Sequence, residues 1–590
     1  MFGILGVWTA RSIERITNGV SGGGRSLRRG VSTGALLVVS CLLSLFGAVA
    51  AQSVVDLPVP TASSGPNTIT VGPDNNLWFT EYNGNRIARF NPADPNAITG
   101  FPPLPTANSQ PVEITVGPDS NLRLTEANAN QIGRMTLGGG ARVNILMIVI
   151  DTLRVDRLDF YGTRRELTPF LASLAEHGNV FWNAYAQSSW TMPSVASLWT
   201  SRYQSQHGVT VLSSVLAETE CTLAEVLKGR GYTTGAFSAS PLLAARGFRQ
   251  GFDQYAVFQD DPVKAKEPAE RLNQASLAWL DTLTANGHPS SPVFLYLQFM
   301  EPHFPYSPPA DLLERILSRR KDPEQERRAY SEMSSVHSER WQHPDPVAAD
   351  LIRDLYDAEV MSLDAQLTRL FSELGKRNFL RNAIVIITAD HGEELMDHGG
   401  IGHGKTLYNE VIRLPLLILA PGQAERVDIS GVVSEVDIAP TVLDLASIPA
   451  PASFEGHSLR AAMYRTRKPG RVLDFADGAF PRSNDGAPTA YSELLILGDE
   501  RDLAPPRHVR SVVTGSYKLT VDSFGRYETY DLGSDPYETN PQALAASDRV
   551  ALERALEVST QRASRYASRP HTEPPDERTR ERMRALGYIN

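Results

Sequence analysis

Cysteine is nearly absent: 590 residues contain two, Cys41 and Cys221. Neither a disulfide framework nor a cysteine metal site can be built from that pair. A basic surplus is missing as well. Lys and Arg total 57 against 67 Asp and Glu, for a formal net charge of −10. No clustered basic face follows, so nucleic acid is excluded as the main partner. Long apolar runs are missing except for one, "GALLVVSCLLSLFGAVAAQS" from Gly34, preceded by Arg11, Arg15, Arg25, Arg28 and Arg29 and ending in the small residues Ala48 and Ala50. This reads as a secretory signal over residues 1–51, cleaved near Ala50 or Ala51. The expectation is an exported protein, periplasmic, extracellular or in the cell envelope. An uncleaved anchor through residues 34–51 is the alternative, since the run is barely long enough to span a membrane. Lipidation at Cys41 fits less well, because the apolar run continues past it. After cleavage only Cys221 is left, and stability must come from the core.

The length implies two to four domains. Residues 67–90, "NTITVGPDNNLWFTEYNGNRIARF", return as residues 112–135, "VEITVGPDSNLRLTEANANQIGRM", at an offset of 45. Gly72 and Gly117, Pro73 and Pro118, Asp74 and Asp119, and Glu81 and Glu126 all match, whereas Trp78 becomes Arg123. A repeat of this length with "GPD" turns and short alternating strands is a propeller-blade pattern. It resembles the repeats of the virginiamycin B lyase family. Two blades cannot close a ring, so residues 52–140 read as a β-rich appendage without chemistry, its partner unknown.

After "LGGG" (137–140) strands and helices alternate. The continuous apolar runs "VNILMIVI" (143–150), "PVFLYLQF" (292–299), "AIVIITA" (383–389) and "PLLILA" (415–420) have the composition of buried parallel strands. Between them lie the helical patterns "TPFLASLAEHG", "TLAEVLKGRG" and "DPVAADLIRDLYDAEVMSLDAQLTRLFSEL". The fold class expected is α/β, a mostly parallel sheet with helices on both faces over residues 141–447. Residues 321–347, charged and poor in apolar residues, read as an insertion or flap. Residues 448–590 read as a smaller α+β subdomain, with strand candidates "SVVTGSYKLTV" and "RYETYDLGSDP" and a charged helix from about Pro575.

Groups capable of chemistry stand at the strand ends, where open α/β sheets place their sites. Asp151 ends the first run, His303 in "EPHFPY" follows the second, and Asp390 and His391 in "DHGEE" follow the third. Asp151, Asp390 and His391 suit one divalent cation of Mn, Zn, Mg or Ca type. Thr191, in "SSWTMPSVASLWTSRYQSQHG" (188–208), admits two readings: an N-cap ahead of a helix opening at Pro193 and Ser194, or a nucleophile whose hydroxyl ionises more readily beside that cation. The helix amides would favour a sulfate or phosphate group beside it. His303, His403 and Lys405, the last two in "GHGKTLYNE" (402–410), can neutralise developing charge and protonate a leaving alcohol. Asp397 and His398 read instead as loop bracing.

In order along the chain, "NILMIVIDTLRVDRLDFYG", "WTMPSVASLWTSRYQSQHG", "PHFPY", "ITADHGEELMDHGGIGHGKTLYNEVIRLPLLI" and "VSEVDIAPTVLDLA", followed by the tail "YDLGSDPYETN", resemble the successive signatures of the sulfatases, within the alkaline phosphatase superfamily. The resemblance covers about residues 142–450 and implies an alkaline phosphatase-like fold and a sulfuric ester hydrolase. Sulfatases carry Cys or Ser in a Cys/Ser-x-Pro-x-Arg pattern and convert it to formylglycine. Here the pattern reads Thr-Met-Pro-Ser-Val, so the aldehyde precursor is missing and Val195 stands in place of arginine. Thr152 occupies the place of a second aspartate, and "GYTTGAFSASPLL" (231–243) lacks the family's lysine and histidine. A metal set of Asp151, Thr191, Asp390 and His391 is more similar to lipoteichoic acid synthase and the phosphoethanolamine transferases, which use threonine as nucleophile on a phosphodiester.

The leading expectation is therefore an exported, metal-dependent, sulfatase-like hydrolase cleaving sulfate or phosphate esters through Thr191. A membrane-anchored phosphotransferase is one alternative. The other is a catalytically degenerate, anion-binding interaction protein.

Overall fold

The computed structural model describes residues 57–581 apart from 73–75, 92–93, 118–120, 136–142, 164, 259–267, 285–290, 319–321, 323, 325–345, 465–488, 497–505, 566–570, 574–576 and 578. The expected signal or anchor and most of the expected flap at 321–347 lie outside the described residues. Among those described, no helix is long and apolar enough to cross a membrane.

The repeat forms two antiparallel sheets. The first copy holds β1 (Pro66–Val71), β2 (Leu77–Glu81), β3 (Arg86–Asn91) and β4 (Asp94–Gly100), and the second holds β5 (Pro111–Val116), β6 (Leu122–Glu126) and β7 (Gln131–Met135). Trp78, Ile87, Ile114, Leu122 and Leu124 form one small buried core shared by both copies. Trp78 packs on Phe101 with ring centroids 5.0 Å apart.

The central sheet has eight strands: β8 (Asn144–Ile150), β9 (Asn179–Tyr185), β10 (Thr233–Ser238), β11 (Gln254–Val257), β12 (Val293–Phe299), β13 (Ala383–Thr388), β14 (Arg413–Leu419) and β15 (Val427–Ser434). Their order across the sheet is β11-β10-β12-β8-β13-β14-β9-β15. Every pairing is parallel except the two made by β14, which runs antiparallel to both β13 and β9. This corrects the reading of "PLLILA" as a parallel strand. A continuous apolar run reports burial on both faces, which β14 has in the sheet interior; it carries no information on direction. The reversal has a consequence for the rim. The loop 389–412 leaves the C-terminal end of β13 and re-enters at the N-terminal end of β14, so both of its ends lie where β8, β9 and β12 also finish.

The helices fall where the patterns place them, at Pro169–Ala175, Leu223–Gly229 and Pro346–Lys376. The second opens on a capping box in which Thr222 and Glu225 satisfy each other's backbone amides. At the C-terminus, β16 (Thr489–Ile496), β17 (Arg507–Thr514), β18 (Tyr517–Asp522) and β19 (Tyr527–Asp531) form an antiparallel sheet. A helix at Ala546–Ser564 that the pattern did not reveal follows it; its many charged and small residues leave only Leu552 and Ala563 buried. Of the helix expected from Pro575, residues 577 and 579–581 are described and are helical.

The C-terminal sheet grips the loop 389–412 through a buried ion pair. Lys518 Nζ lies 2.6 Å from Glu538 Oε1, both side chains fully buried, and donates to the Leu407 carbonyl at 2.7 Å. Glu538 Oε2 accepts from the Asn409 amide at 2.5 Å. Removing one member of a buried pair strands the other charge and costs about 3–5 kcal/mol, whereas an apolar pair of similar volume can be neutral. Glu538→Ala is therefore expected to lower unfolding stability by about that amount in urea titrations, and Lys518→Met combined with Glu538→Leu to recover most of the loss.

Candidate active site

Asp151, Thr191, Asp390 and His391 converge, each with no exposed surface. Asp151 directly follows β8 and its amide donates to the Phe299 carbonyl of β12 at 3.0 Å. The helix Thr191–Thr200 starts at Thr191 itself, two residues before the expected Pro193, with Trp190 as an N-cap that makes no side-chain bond. Thr191 is thus not a cap. Its Oγ1 lies 3.4 Å from Asp151 Oδ2 and 3.3 Å from His391 Nε2.

The donor set fits a cation. His391 Nδ1 donates to the Gly392 carbonyl at 2.9 Å, which fixes the tautomer, and burial, then the charge of His403, hold its pKa well below the usual imidazole value. Nε2 is therefore a lone pair, facing Asp151 Oδ1 at 3.5 Å and Asp390 Oδ2 at 3.7 Å. Asp151 Oδ1 has no hydrogen-bond donor among the described residues. Burial pushes both carboxyls upward, and for Asp151 the charges of Asp390 and Glu393 add to it. Acceptors facing acceptors in a dry site are satisfied by a metal ion, and the ligand atoms of Asp151, Asp390 and His391 all lie within 4.8 Å of one another.

Three further residues that no motif singles out stand around this cluster: Gln298, Glu393 and Arg154. Gln298, the polar residue in the apolar strand β12, donates to Asp390 Oδ2 at 3.2 Å, its amide oriented by the Tyr296 hydroxyl at 2.6 Å. Its signal was one amide in an otherwise apolar run. Glu393 accepts from His403 Nδ1 at 2.7 Å and from the Tyr306 hydroxyl at 3.3 Å. Burial alone would raise Glu393, but the charge and hydrogen bond of His403 hold it low. Arg154, buried, donates to the Glu393 carbonyl at 3.0 Å and pairs with Asp156 and Asp397. The backbone between Asp151 and Arg154 is unusual: Thr152 has φ of +59°, a conformation that costs a β-branched residue about 1–3 kcal/mol.

His403 joins the cluster, its ring centroid 4.4 Å from that of His391 and 5.0 Å from that of His303. Burial lowers the His303 pKa to about 4. Lys405 is not brought in: it is exposed, its ammonium meeting the Ile401 carbonyl at 3.5 Å, and no contact among the described residues ties it to the four converging side chains. A cleft of about 840 Å³ lined by Glu218, Arg246, Arg249 and Tyr255 contains none of these residues.

With this geometry the comparisons are consistent. The sulfatase family model matches residues 143–448, slightly over half of the chain. The chain belongs to the sulfatase family. The virginiamycin B lyase family model matches residues 47–148. The chain is 25% identical over 431 residues to "Uncharacterized sulfatase YidJ" of Escherichia coli K12, covering 67% of this chain and 82% of that protein. It is 27% identical over 354 residues to Arylsulfatase K of Bos taurus, covering 54% and 65%. The Agrobacterium radiobacter phosphonate monoester hydrolase has a TM-score of 0.55 at 20% identity, with 74% of this chain and 100% of that one covered. A second structure, solved with its substrate D-glucosamine-2-N,6-O-disulfate, has a TM-score of 0.54 at 19% identity, covering 72% and 98%. These structures share the alkaline phosphatase-like fold, and this sulfatase has the mixed sheet that such a fold requires.

Asp397 and His398 brace the loop, though with separate partners. Asp397 pairs with Arg154, while His398 pairs with Glu410 at 2.5 Å, meets the Glu538 carbonyl at 3.0 Å and stacks on Tyr408 at 3.7 Å. Burial works against the His398 charge, but the Glu410 hydrogen bond and charge prevail and raise its pKa to about 9. A raised pKa stabilises the folded state below the unfolded value of about 6.5, and that contribution fades as pH climbs through about 9. The stability gap between wild type and His398→Gln is expected to be largest at pH 6 and to shrink steadily to pH 9.5 in urea titrations.

Proposed function

We propose that this sulfatase hydrolyses sulfate esters through a covalent ester on Thr191, as an exported enzyme whose catalytic domain spans residues 141–447, between the blades (52–140) and the C-terminal subdomain (448–590). One observation carries the reading: Thr191 Oγ1, free of any capping role, lies between Asp151 Oδ2 and His391 Nε2. A divalent cation held by Asp151, Asp390 and His391, with Thr191 beside it, would lower the hydroxyl pKa and offset the charge of the ester oxygens.

The remaining chemistry rests on side chains of the chain. Asp151 Oδ2 accepts from the Thr191 hydroxyl and orients its oxygen. As the bond from Thr191 Oγ1 to sulfur forms, the hydroxyl proton passes to Asp151 Oδ2, the sulfur–oxygen bond to the alcohol breaks, and the alcohol oxygen takes a proton from the Nε2 of His403; when water later displaces Thr191, His403 takes the water proton and Asp151 returns its proton to Oγ1. Glu393, accepting from Nδ1, holds that imidazole in place. His303, its pKa lowered by burial, is suited to accept hydrogen bonds as a neutral ring. Water then attacks the threonine ester and releases sulfate and free Thr191.

A phosphate ester is the second reading, supported by threonine where formylglycine chemistry needs Cys or Ser. Matched aryl sulfate, aryl phosphate monoester and aryl phosphodiester, each with Mn²⁺, Zn²⁺, Mg²⁺ or Ca²⁺, separate the two. Thr191→Ala is expected to lose at least ~10³-fold in kcat on the preferred ester, in the range of other nucleophile deletions; turnover unaffected by that substitution would rule out Thr191 as nucleophile. Gln298→Leu is expected to weaken Mn²⁺ binding by about 10-fold or more in calorimetry, because it removes the donor that orients Asp390.

A further inference from the structure

The two blades are copies of one sequence, so each serves as a control for the other. On the leading strand of the second copy, Pro111 and Ile114 of β5 are buried; the same positions of β1, Pro66 and Ile69, are exposed, Ile69 at 60%. Val71 behaves like Ile69, 58% exposed where its copy Val116 packs against the shared core. On the trailing strand the asymmetry reverses. Ile87 of β3 is 2% exposed and its copy Ile132 of β7 is 74% exposed.

Polar groups follow the same rule. Ser109 donates to Asn85 Oδ1 of the first blade through its amide at 2.7 Å and its hydroxyl at 2.9 Å. Its copy Ser64 is 3% exposed with a hydroxyl that has no hydrogen-bond partner among the described residues, and Asn130, the copy of Asn85, is exposed. Thr80 Oγ1 donates across the seam to the Val112 carbonyl at 2.8 Å. Its copy Thr125 shares with Thr80 only the bond from an amide of its own blade, Glu113 at 3.0 Å for Thr125 and Thr68 at 3.3 Å for Thr80.

We propose that the blades are a self-association device: the trailing face of the second blade, with Ile132 and Asn130, receives the leading face of the first blade of a second copy, with Pro66, Ile69 and Val71. The seam between the two blades of one chain is the template for the contact between chains. One surface meets a different surface, so the contact is head to tail and either closes into a ring or continues without limit. Propellers close with about four to eight blades, so chains of two blades close as rings of two to four copies.

Size-exclusion chromatography with light scattering on the full 64.7 kDa chain tests this. A species of two to four chains is expected, reduced to one by Ile69→Asp and equally by Ile132→Asp. Both side chains are exposed in the single chain, so each variant is expected to keep the wild-type near-ultraviolet dichroism. The double variant Ile69→Cys/Ile132→Cys, at two exposed positions, is expected to cross-link between chains on oxidation, giving a denaturing-gel ladder that neither single variant gives. A monomeric wild type at 100 μM would overturn the proposal and leave the two faces to another protein or to the chain's own leading segment. An oligomer that survives both aspartates and yields no ladder would overturn it too, placing the assembly on another surface.

Discussion

Two carboxylates with no exposed surface, Asp151 and Asp390, face one imidazole lone pair, and much of the catalytic domain is organised around that arrangement. In a dry site, like charges raise each other's pKa and cost free energy unless a positive charge joins them. The chain has a buried guanidinium nearby in Arg154, yet its donors go to Asp156, Asp397 and the Glu393 carbonyl. That positive charge braces the loop after Asp390 and does not neutralise the cluster. The backbone strain at Thr152 belongs to the same account: a left-handed residue directly after Asp151 turns the chain at the end of β8. It is held there by Tyr356, whose hydroxyl donates to the Thr152 carbonyl at 2.6 Å and accepts from the Arg154 amide at 3.0 Å.

How far the sequence discloses this site depends on the contrast between a residue and its neighbours. Asp151, Asp390 and His391 each stand just after a run of apolar residues, and such a change of texture is readable without a structure. Gln298 lies inside its run, so its polarity reads as tolerance within a strand; only the position of Asp390, at the end of β13 on the far side of β8, gives it meaning. Glu393 and Arg154 are hidden for a different reason. Charged residues after a strand are ordinary surface loops on average, and their burial follows from contacts distant in the chain, Arg154 with Asp397 and Glu393 with Tyr306. Lys405 shows how little proximity in sequence settles: it stands two residues from His403, and its exposed ammonium meets the Ile401 carbonyl.

The fold was legible to a similar depth. Apolar runs locate buried strands, but direction is set by connectivity, and β14 reverses because a loop of two dozen residues returns it to the rim it left. That reversal brings His391, Glu393 and His403 together from one segment. The C-terminal sheet then fixes the far half of the segment through Lys518 and Glu538. Neither residue carried a readable signal, since burial of a lysine is a property of its partner.

The departures from the family pattern are consistent with one another at the level of packing. Val195, where sulfatases have arginine, has no exposed surface and belongs to the main apolar core, one turn of helix beyond Thr191. An arginine there would bury a guanidinium within that apolar core. Ser194, also buried, turns its hydroxyl back to the Ser188 carbonyl at 2.9 Å and so closes the turn that presents Thr191. The helix start is thus built around an unmodified hydroxyl and apolar support, not around a modified residue with a cationic neighbour. On the proposed reading this moves the demand to the second half of the reaction. A threonine ester has no hydrated aldehyde from which sulfate can be eliminated, so water or another acceptor must attack the sulfur directly. The imidazole held by Glu393 is the group placed to take that proton.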